Sequence, residues 1–161
     1  MNEADTRAEY IDKQLEAAGW ITSAATGVRV RREYNINAGE IRSSGIRTGQ
    51  LKADYILEYK NTKLAVVEAK SNELDVSEGV AQAKLYAQKL RLKTSFAANG
   101  KAIYEINHAT GAEGEVDVFP PPEELWQRVY GSGNEWLDKF SQVPFEDFNG
   151  TRQPRYYQQL A

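Results

Sequence analysis

The sequence has no cysteine, a single histidine and no apolar run long enough to cross a membrane. Without cysteine, disulfides, thiolate metal sites and cysteine nucleophiles are excluded, and His108 alone cannot supply a histidine-based triad or a zinc site. Any metal must therefore be held by oxygen. No charged and then apolar leader follows Met1, so we expect a cytoplasmic protein with no membrane attachment.

An excess of positive charge is also missing, because the 161 residues carry a net charge of −3. Affinity for phosphate backbones comes mainly from basic surfaces, so composition alone does not indicate a nucleic-acid-binding protein. Local basic clusters do occur, and their simplest interpretation is a solvated face. They are Arg29, Arg31 and Arg32; Arg42, Arg47 and Lys52; and Lys84, Lys89, Arg91 and Lys93. If the chain binds DNA, we expect other chains to help.

Two neighbouring strands are predicted at the centre of the chain. Lys52 to Tyr59 and Lys63 to Ala69 are rich in β-branched and aromatic residues and flank the turn Lys60 to Thr62. The second run is apolar on both faces until Glu68 and Lys70, which indicates a central strand covered on both sides. Burying an acid and a base there would be costly without a function.

The turn decides whether Asp54 joins this acid and base. A two-residue loop, Asn61-Thr62, sets Asp54 opposite Ala69, with its side chain pointing away from Glu68. A three-residue loop, Lys60 to Thr62, sets Asp54 opposite Glu68 instead. A single site therefore requires a turn with an odd number of residues or a β-bulge that shifts the register.

The other predicted elements surround these strands. Ala8, Ile11 and Leu15 recur at helical spacing near the start of the chain, and Asp75 resembles the cap of a later helix. The predicted helices span Glu3 to Ala18, Val76 to Arg91, Glu123 to Tyr130 and Asn134 to Phe140; the further strands span Val28 to Ile36, Thr94 to Ala98, Ala102 to Ile106 and Val116 to Phe119. Residues 37–50, rich in Gly and Ser, are predicted to form a loop that could close over a substrate.

Several motifs carry a family resemblance. Asp54 followed by Glu68-Ala69-Lys70 resembles the PD-(D/E)xK nuclease motif, with Ala53 in place of the leading proline. Gln82 to Tyr86 is similar to the QxxxY element of the restriction subunits of type I restriction-modification enzymes. Further segments resemble the N-terminal region of such subunits, namely Thr6-Arg7 with Ile11-Asp12 and Gly19-Trp20, Phe96 to Gly100, Phe119-Pro120 and Arg155 to Gln158.

The resemblance implies an α/β fold, a restriction-endonuclease-like core with a mixed central β-sheet flanked by α-helices, in residues 1–144. Residues 145–161 would be a linker and the start of a truncated helicase or translocase domain. The implied activity is that of a type I site-specific deoxyribonuclease, which cuts double-stranded DNA after translocation. ATP would act only through the missing motor domains, and the partners would be the modification and specificity subunits.

The chemistry of DNA hydrolysis favours a site whose oxygen ligands can hold a divalent cation. A phosphodiester is anionic, so its hydrolysis benefits from a cation that neutralises charge and orients water. Mg²⁺ prefers oxygen and keeps several waters, so two carboxylates can hold it against a phosphate, and Mn²⁺ is a substitute. We predict Asp54 and Glu68 as metal ligands, and the resemblance adds the backbone carbonyl of Ala69.

Other residues are predicted to assist. Lys70 would lower the pKa of the attacking water, orient that water or stabilise the charge that develops on phosphorus. Gln82 and Tyr86 would orient Lys70 or a DNA phosphate through hydrogen bonds. Glu9, in the first helix, is the candidate for an auxiliary acid.

Each assignment has a structural alternative. Glu68 and Lys70 could form an ion pair at a sheet end, Asp54 could face solvent, and Gln82 and Tyr86 could simply pack on a half-buried helix. Two other functions also remain open: another helicase-linked or repair nuclease, and a non-catalytic DNA-holding or docking module with the same fold. An Asp54 side chain that points away from Glu68 would favour the docking module.

Overall fold

A computed structural model describes residues 2–36 and 51–131, together with two short strands, Glu146–Asp147 and Gly150–Thr151, that pair antiparallel. The chain divides into two compact units, Met1–Val129 and Tyr130–Ala161. The boundary predicted at residue 144 falls inside the second unit and stays a prediction. The loop predicted at residues 37–50, the helix predicted at 134–140 and the motif at 155–158 lie outside the described residues.

A mixed six-stranded sheet forms the first unit, and its strands lie in chain order. They are β1 (Val28–Asn35), β2 (Lys52–Tyr59), β3 (Thr62–Ala69), β4 (Thr94–Ala98), β5 (Ile103–Asn107) and β6 (Glu113–Val116). β3 and β4 are parallel, whereas every other neighbouring pair is antiparallel. A parallel pair needs a crossover connection, and a helix between β3 and β4 supplies it.

Helices cover both faces of the sheet, as predicted. They are α1 (Glu3–Thr6), a π-helical turn (Arg7–Ile11), α2 (Asp12–Ala17), a 3₁₀ turn (Val76–Gly79), α3 (Val80–Leu90) and α4 (Pro122–Tyr130). The side chain of Asp75 accepts a hydrogen bond from the backbone N–H of Ser77 at 2.9 Å, which confirms the predicted cap. Among the described residues, no helix is long and apolar enough to cross a membrane.

β3 separates two apolar cores and is covered on both sides, as its sequence predicts. On one side Val67 belongs to the larger core, whose members include Ile11, Leu15, Trp20, Phe96, Phe119 and Leu125. On the other side Val66 packs in a smaller core with Ala53, Ile56, Tyr86, Ala87 and Leu92. Full burial of one such aliphatic or aromatic side chain is worth roughly 1.5–3 kcal/mol, so both cores hold β3 in place.

Two predictions about element positions are wrong. The last strand ends at Val116 and does not run to Phe119, because the Phe119 ring is buried and meets Phe96 edge-on with the ring centroids 5.3 Å apart. In the first helix Ala8 is exposed and Thr6 is buried. The π-helical turn adds a residue to one turn, so Thr6 and not Ala8 lies on the same face as Ile11.

Candidate active site

A β-bulge in β3 sets the register of the site. Tyr59 pairs with Thr62, so the loop is Lys60-Asn61, and both loop residues have positive φ, as the tightest hairpin turns require. An uninterrupted hairpin on this loop would place Asp54 opposite Val67, on the face away from the acid. Neither loop considered from the sequence is therefore correct: Asn61-Thr62 begins one residue late, and Lys60 to Thr62 ends one residue late.

The bulge corrects this register. Glu58 pairs with Lys63, but Leu57 pairs with Ala65, which leaves Leu64 as the extra residue. Leu64 consequently turns into the same core as Ala65. Tyr55 pairs with Val67, and the same register continued by one residue sets Asp54 opposite Glu68. The sequence argument that one site requires an odd turn or a bulge is met by the bulge.

Asp54 is fixed by hydrogen bonds to both carboxylate oxygens. Its Oδ2 accepts the backbone N–H of Ala69 at 2.8 Å, and its Oδ1 accepts Nη1 of Arg7 at 2.6 Å. The Asp54 side chain is only 13% exposed. It lies against the end of β3 and not in solvent, contrary to the structural alternative for this residue.

Glu68 and Lys70 form the second half of the site. Glu68 is buried, and its Oε1 accepts a hydrogen bond from the Lys70 ammonium at 3.0 Å. Lys70 Nζ also donates to Oε1 of Gln82 at 3.1 Å, and Nε2 of Gln82 donates to the hydroxyl of Tyr86 at 2.7 Å. Four of the predicted residues thus form one hydrogen-bonded row from β3 to α3.

Gly79 allows α3 to approach the end of β3. A Cβ atom at this position would lie 3.1 Å from Cβ of Ala97, 3.3 Å from Cγ of Lys70 and 3.7 Å from Cγ of Glu68. A larger side chain would push the start of α3 away from the acid and the base. The sequence argument missed this role, although a glycine inside a predicted helix was the available signal.

The charges of the site are strongly coupled. Burial, and next the negative charge of Asp54, raise the pKa of Glu68 to about 8, although the hydrogen bond and charge of Lys70 oppose the shift. Burial lowers the pKa of Lys70, but the hydrogen bond and charge of Glu68, together with the charges of Glu3 and Asp54, outweigh burial and leave that pKa raised. Near neutral pH the lysine is therefore an ammonium, and the carboxyl of Glu68 is readily protonated.

These residues fit a hard divalent cation. The Oε2 atom of Glu68 is buried and has no hydrogen-bond partner in the described part of the chain, so it is an oxygen that a cation could bind. No group of three acidic, histidine or cysteine side chains suited to a metal occurs among the described residues. A cation would therefore need Asp54, Glu68, a backbone carbonyl and water, a ligand set that suits Mg²⁺.

The first helix contributes different residues from the one predicted. Glu9 is exposed, and no described contact brings it to the site. Glu3 is the acid of this helix whose charge raises the pKa of Glu68. Arg7, which binds Asp54, was not predicted as a site residue. Its sequence signal was weak, since it is 47 residues from Asp54 and the π-helical turn was not foreseen.

The predicted basic clusters are largely ion-paired and solvated where the structure describes them. Arg31 on β1 pairs with Glu58 at 2.7 Å, and Lys84 on α3 pairs with Glu113. Arg32 pairs with Asp12 at 3.0 Å. The charges of these three residues are therefore partly neutralised.

The fold is a restriction-endonuclease-like α/β fold, with a mixed sheet covered by helices. Its two acidic residues and its lysine, Asp54, Glu68 and Lys70, lie where β2 begins and β3 ends. Residues 18–119 match the family model described as "Type I restriction enzyme EcoKI endonuclease subunit second domain". The chain belongs to this family of type I restriction enzyme endonuclease subunits.

Two relatives extend the match. The chain is 32% identical to the type I restriction enzyme EcoAI endonuclease subunit of Escherichia coli, over its whole length and 21% of that protein. A solved fragment described as an HsdR subunit of a type I restriction enzyme from Vibrio vulnificus YJ016 is 34% identical and superposes with a TM-score of 0.74. That match covers 99% of this chain and 31% of the other. The chain thus spans about a fifth to a third of the relatives that it matches.

Proposed function

We propose that this chain is the nuclease domain of a type I restriction endonuclease subunit and hydrolyses phosphodiester bonds of double-stranded DNA with Mg²⁺. The observation that carries the proposal is the bulge-dependent meeting of Asp54 with the end of β3, where its Oδ2 accepts the N–H of Ala69 between Glu68 and Lys70. Without the bulge, the acidic residues would lie on opposite faces of the sheet. The family membership of residues 18–119 supports the same activity.

The proposed metal ligands are the carboxylates of Asp54 and Glu68 and the carbonyl of Ala69. When bound there, Mg²⁺ would neutralise charge on the phosphodiester and lower the pKa of a coordinated water, and Mn²⁺ would substitute for it. The buried Oε2 of Glu68, which has no hydrogen-bond partner in the part of the chain that the structure describes, supports this assignment. The N–H of Ala69 donates to Oδ2 of Asp54 and so holds the Asp54 carboxylate in place.

Lys70 is proposed to orient the attacking water, to lower its pKa or to stabilise the charge that develops on phosphorus. Its ammonium is held between Oε1 of Glu68 and Oε1 of Gln82, and its side chain is only 15% exposed. In that position it can orient the attacking water or donate to a phosphate oxygen as charge develops. Gln82, held in turn by the Tyr86 hydroxyl, keeps the ammonium directed at the site.

The rest of the activity is proposed to come from outside this chain. ATP-driven translocation by motor domains, and the modification and specificity subunits, would bring DNA to the nuclease site. Delivery by partners accounts for a net charge of −3 in a chain that acts on DNA. A cytoplasmic location remains a prediction.

The competing functions have less support. A docking module was expected to turn Asp54 away from Glu68, whereas Asp54 lies close enough for its charge to raise the pKa of Glu68. A helicase-linked or repair nuclease of another kind is disfavoured by the match to type I endonuclease subunits.

Plasmid cleavage by the complete subunit, assembled with its partners in Mg²⁺ and ATP, tests the proposal. We expect Lys70→Ala and Glu68→Ala to stop cleavage while ATP hydrolysis in the same tubes continues. The matched control is another Lys–Glu pair, Lys84 and Glu113, whose alanine variants should cut normally. Cleavage by Lys70→Ala and Glu68→Ala at the wild-type rate would refute the proposed site.

A further inference from the structure

Each carboxylate of the site is held by one basic residue, but the two basic residues are held differently. Lys70 binds Glu68 and is also fixed by Gln82. Arg7 binds Oδ1 of Asp54 through Nη1 at 2.6 Å, while its Nη2 lies 3.7 Å from Oε1 of Glu33. Arg7 therefore already has a second carboxylate within reach, outside the pair that would hold a cation.

The backbone of Glu33 is unusual. Its φ is 53°, a left-handed value that is uncommon for a residue other than glycine, and it lies in the middle of β1 at the level of Asp54. Strained residues of this kind persist where the surrounding structure holds them and often occur at functional sites. Here the strained residue is the one that contacts both Arg7 and, at 2.8 Å, Lys52. Its side chain is 54% exposed, and its Oε1, the oxygen that does not bind Lys52, is the one nearest Arg7.

The backbone of Arg7 is anchored next to the site. Thr6 is fully buried, and its hydroxyl accepts the backbone N–H of Asn72, just after Lys70, at 3.1 Å. Ile11, at the other end of the π-helical turn, is buried in the larger core. A helix fixed at both ends of this turn leaves the partly exposed Arg7 side chain as the part that can move.

We propose that Arg7 is a positioning residue that holds Asp54 in the cation-free site and transfers to Glu33 when a divalent cation binds. The inference rests on the proposed function, because it concerns access to the same carboxylate. Oδ2 of Asp54 accepts the backbone N–H of Ala69, whereas Oδ1 accepts the side chain of Arg7. A side chain can move away more easily than a backbone N–H, so Oδ1 is the oxygen that a cation could bind. A guanidinium at that oxygen repels a divalent cation at the same place. The nearby carboxylate of Glu33 lowers the free-energy cost for Arg7 to move away from Asp54.

A purely structural role would have a different signature. If Arg7 only joined the first helix to β2, its loss would lower the melting temperature and would leave cation affinity unchanged or weaken it. If Arg7 competes with the cation, its loss should lower the melting temperature of the cation-free chain and yet tighten cation binding. The affinity of the chain for the cation, measured without DNA, therefore distinguishes a structural role of Arg7 from competition with the cation.

The test is Mn²⁺ binding to the 161-residue chain, followed by the EPR signal of free Mn²⁺. We expect Arg7→Gln to bind Mn²⁺ about tenfold more tightly than wild type, because a repelling charge has gone. Arg7→Lys, which keeps the charge, should stay within about threefold of wild type. Glu33→Gln removes the second carboxylate and should weaken binding. Arg32→Gln, which breaks the ion pair with Asp12 and not a contact with Asp54 or Glu68, is the matched control and should leave the affinity unchanged.

Two further variants separate failure of this inference from failure of the proposed function. Asp54→Asn and Glu68→Gln should each abolish Mn²⁺ binding if the metal site is correct. If they do so while Arg7→Gln binds Mn²⁺ no more tightly than wild type, the role of Arg7 is wrong and the metal site stands. If both bind Mn²⁺ as wild type does, the metal site itself is wrong, and the inference falls with it.

Discussion

Asp54 on β2 accepts the backbone N–H of Ala69 on β3 at 2.8 Å, although an uninterrupted hairpin on the observed turn would have put Asp54 on the other face of the sheet. The extra residue, Leu64, makes this contact possible. The contact fixes one acidic residue beside Ala69, the single residue between Glu68 and Lys70. The remaining chemistry of the site depends on that arrangement.

The first prediction concerns pH and stability without a cation. The pKa of Glu68 is about 8 in the folded chain, whereas an unfolded glutamate has the model value of 4.5. The folded state therefore binds more protons between these values, and the free energy of unfolding should fall as pH rises from about 4.5 to 8. The slope should approach about 1.4 kcal/mol per pH unit at most.

Urea denaturation across this pH range, without divalent cations, measures the effect. Glu68→Gln removes the titrating group and should flatten the profile. Glu105→Gln, a glutamate on β5 that pairs with Arg128, serves as the control and should keep the wild-type slope. An unchanged slope in Glu68→Gln would show that another group causes the dependence.

The second prediction concerns the glycine at the start of α3. Gly79→Val adds atoms that meet Ala97 and Lys70 at distances too short for a packed core. We expect a loss of about 1–3 kcal/mol in the free energy of unfolding, together with weaker Mn²⁺ binding, because the start of α3 must move. Gly114→Val on β6, where a Cβ would meet nothing within 4 Å, should leave both quantities near wild type. Equal behaviour of the two variants would remove the packing argument.

The third prediction separates Lys70 from the residues that hold it. Tyr86→Phe keeps the buried ring but removes the hydroxyl that accepts the hydrogen bond from Gln82. Cleavage by the assembled enzyme should fall roughly 10–100-fold, as it does when partners that orient a ligand are lost, while Mn²⁺ affinity stays unchanged. Tyr59→Phe removes a hydroxyl bonded to Glu123, away from the site, and is the matched control. A full cleavage rate in Tyr86→Phe would confine Tyr86 to packing.

Local patterns in the sequence predicted much of this architecture. The apolar faces of β3 identified a central strand, and Asp75 predicted the cap before α3 because its hydrogen bond spans only two residues. The fold class came from the family resemblance. The grouping of Lys70 with Gln82 and Tyr86 follows from spacing along one strand and the helix after it.

What the sequence could not predict depends on contacts between distant residues. Leu64 is the bulged residue and packs into the larger core, and neither the turn nor the strand pattern predicts that position. Arg7 reaches Asp54 only after the π-helical turn has changed which side of the first helix is buried. Phe119 leaves the last strand to meet Phe96, a partner distant in sequence. Tertiary packing decided all three positions.

The most direct test of the nuclease site is Asp54→Asn in the complete subunit, assembled with its partners, with DNA cleavage and ATP hydrolysis followed together. Asparagine has nearly the shape of aspartate and can still accept the N–H of Ala69, but it lacks the negative charge that a cation requires. Asp12→Asn, on α2, is the control. We predict that Asp54→Asn loses at least about 100-fold in cleavage and keeps its ATP hydrolysis. Cleavage at the wild-type rate would contradict the assignment of the nuclease site to this end of β2 and β3.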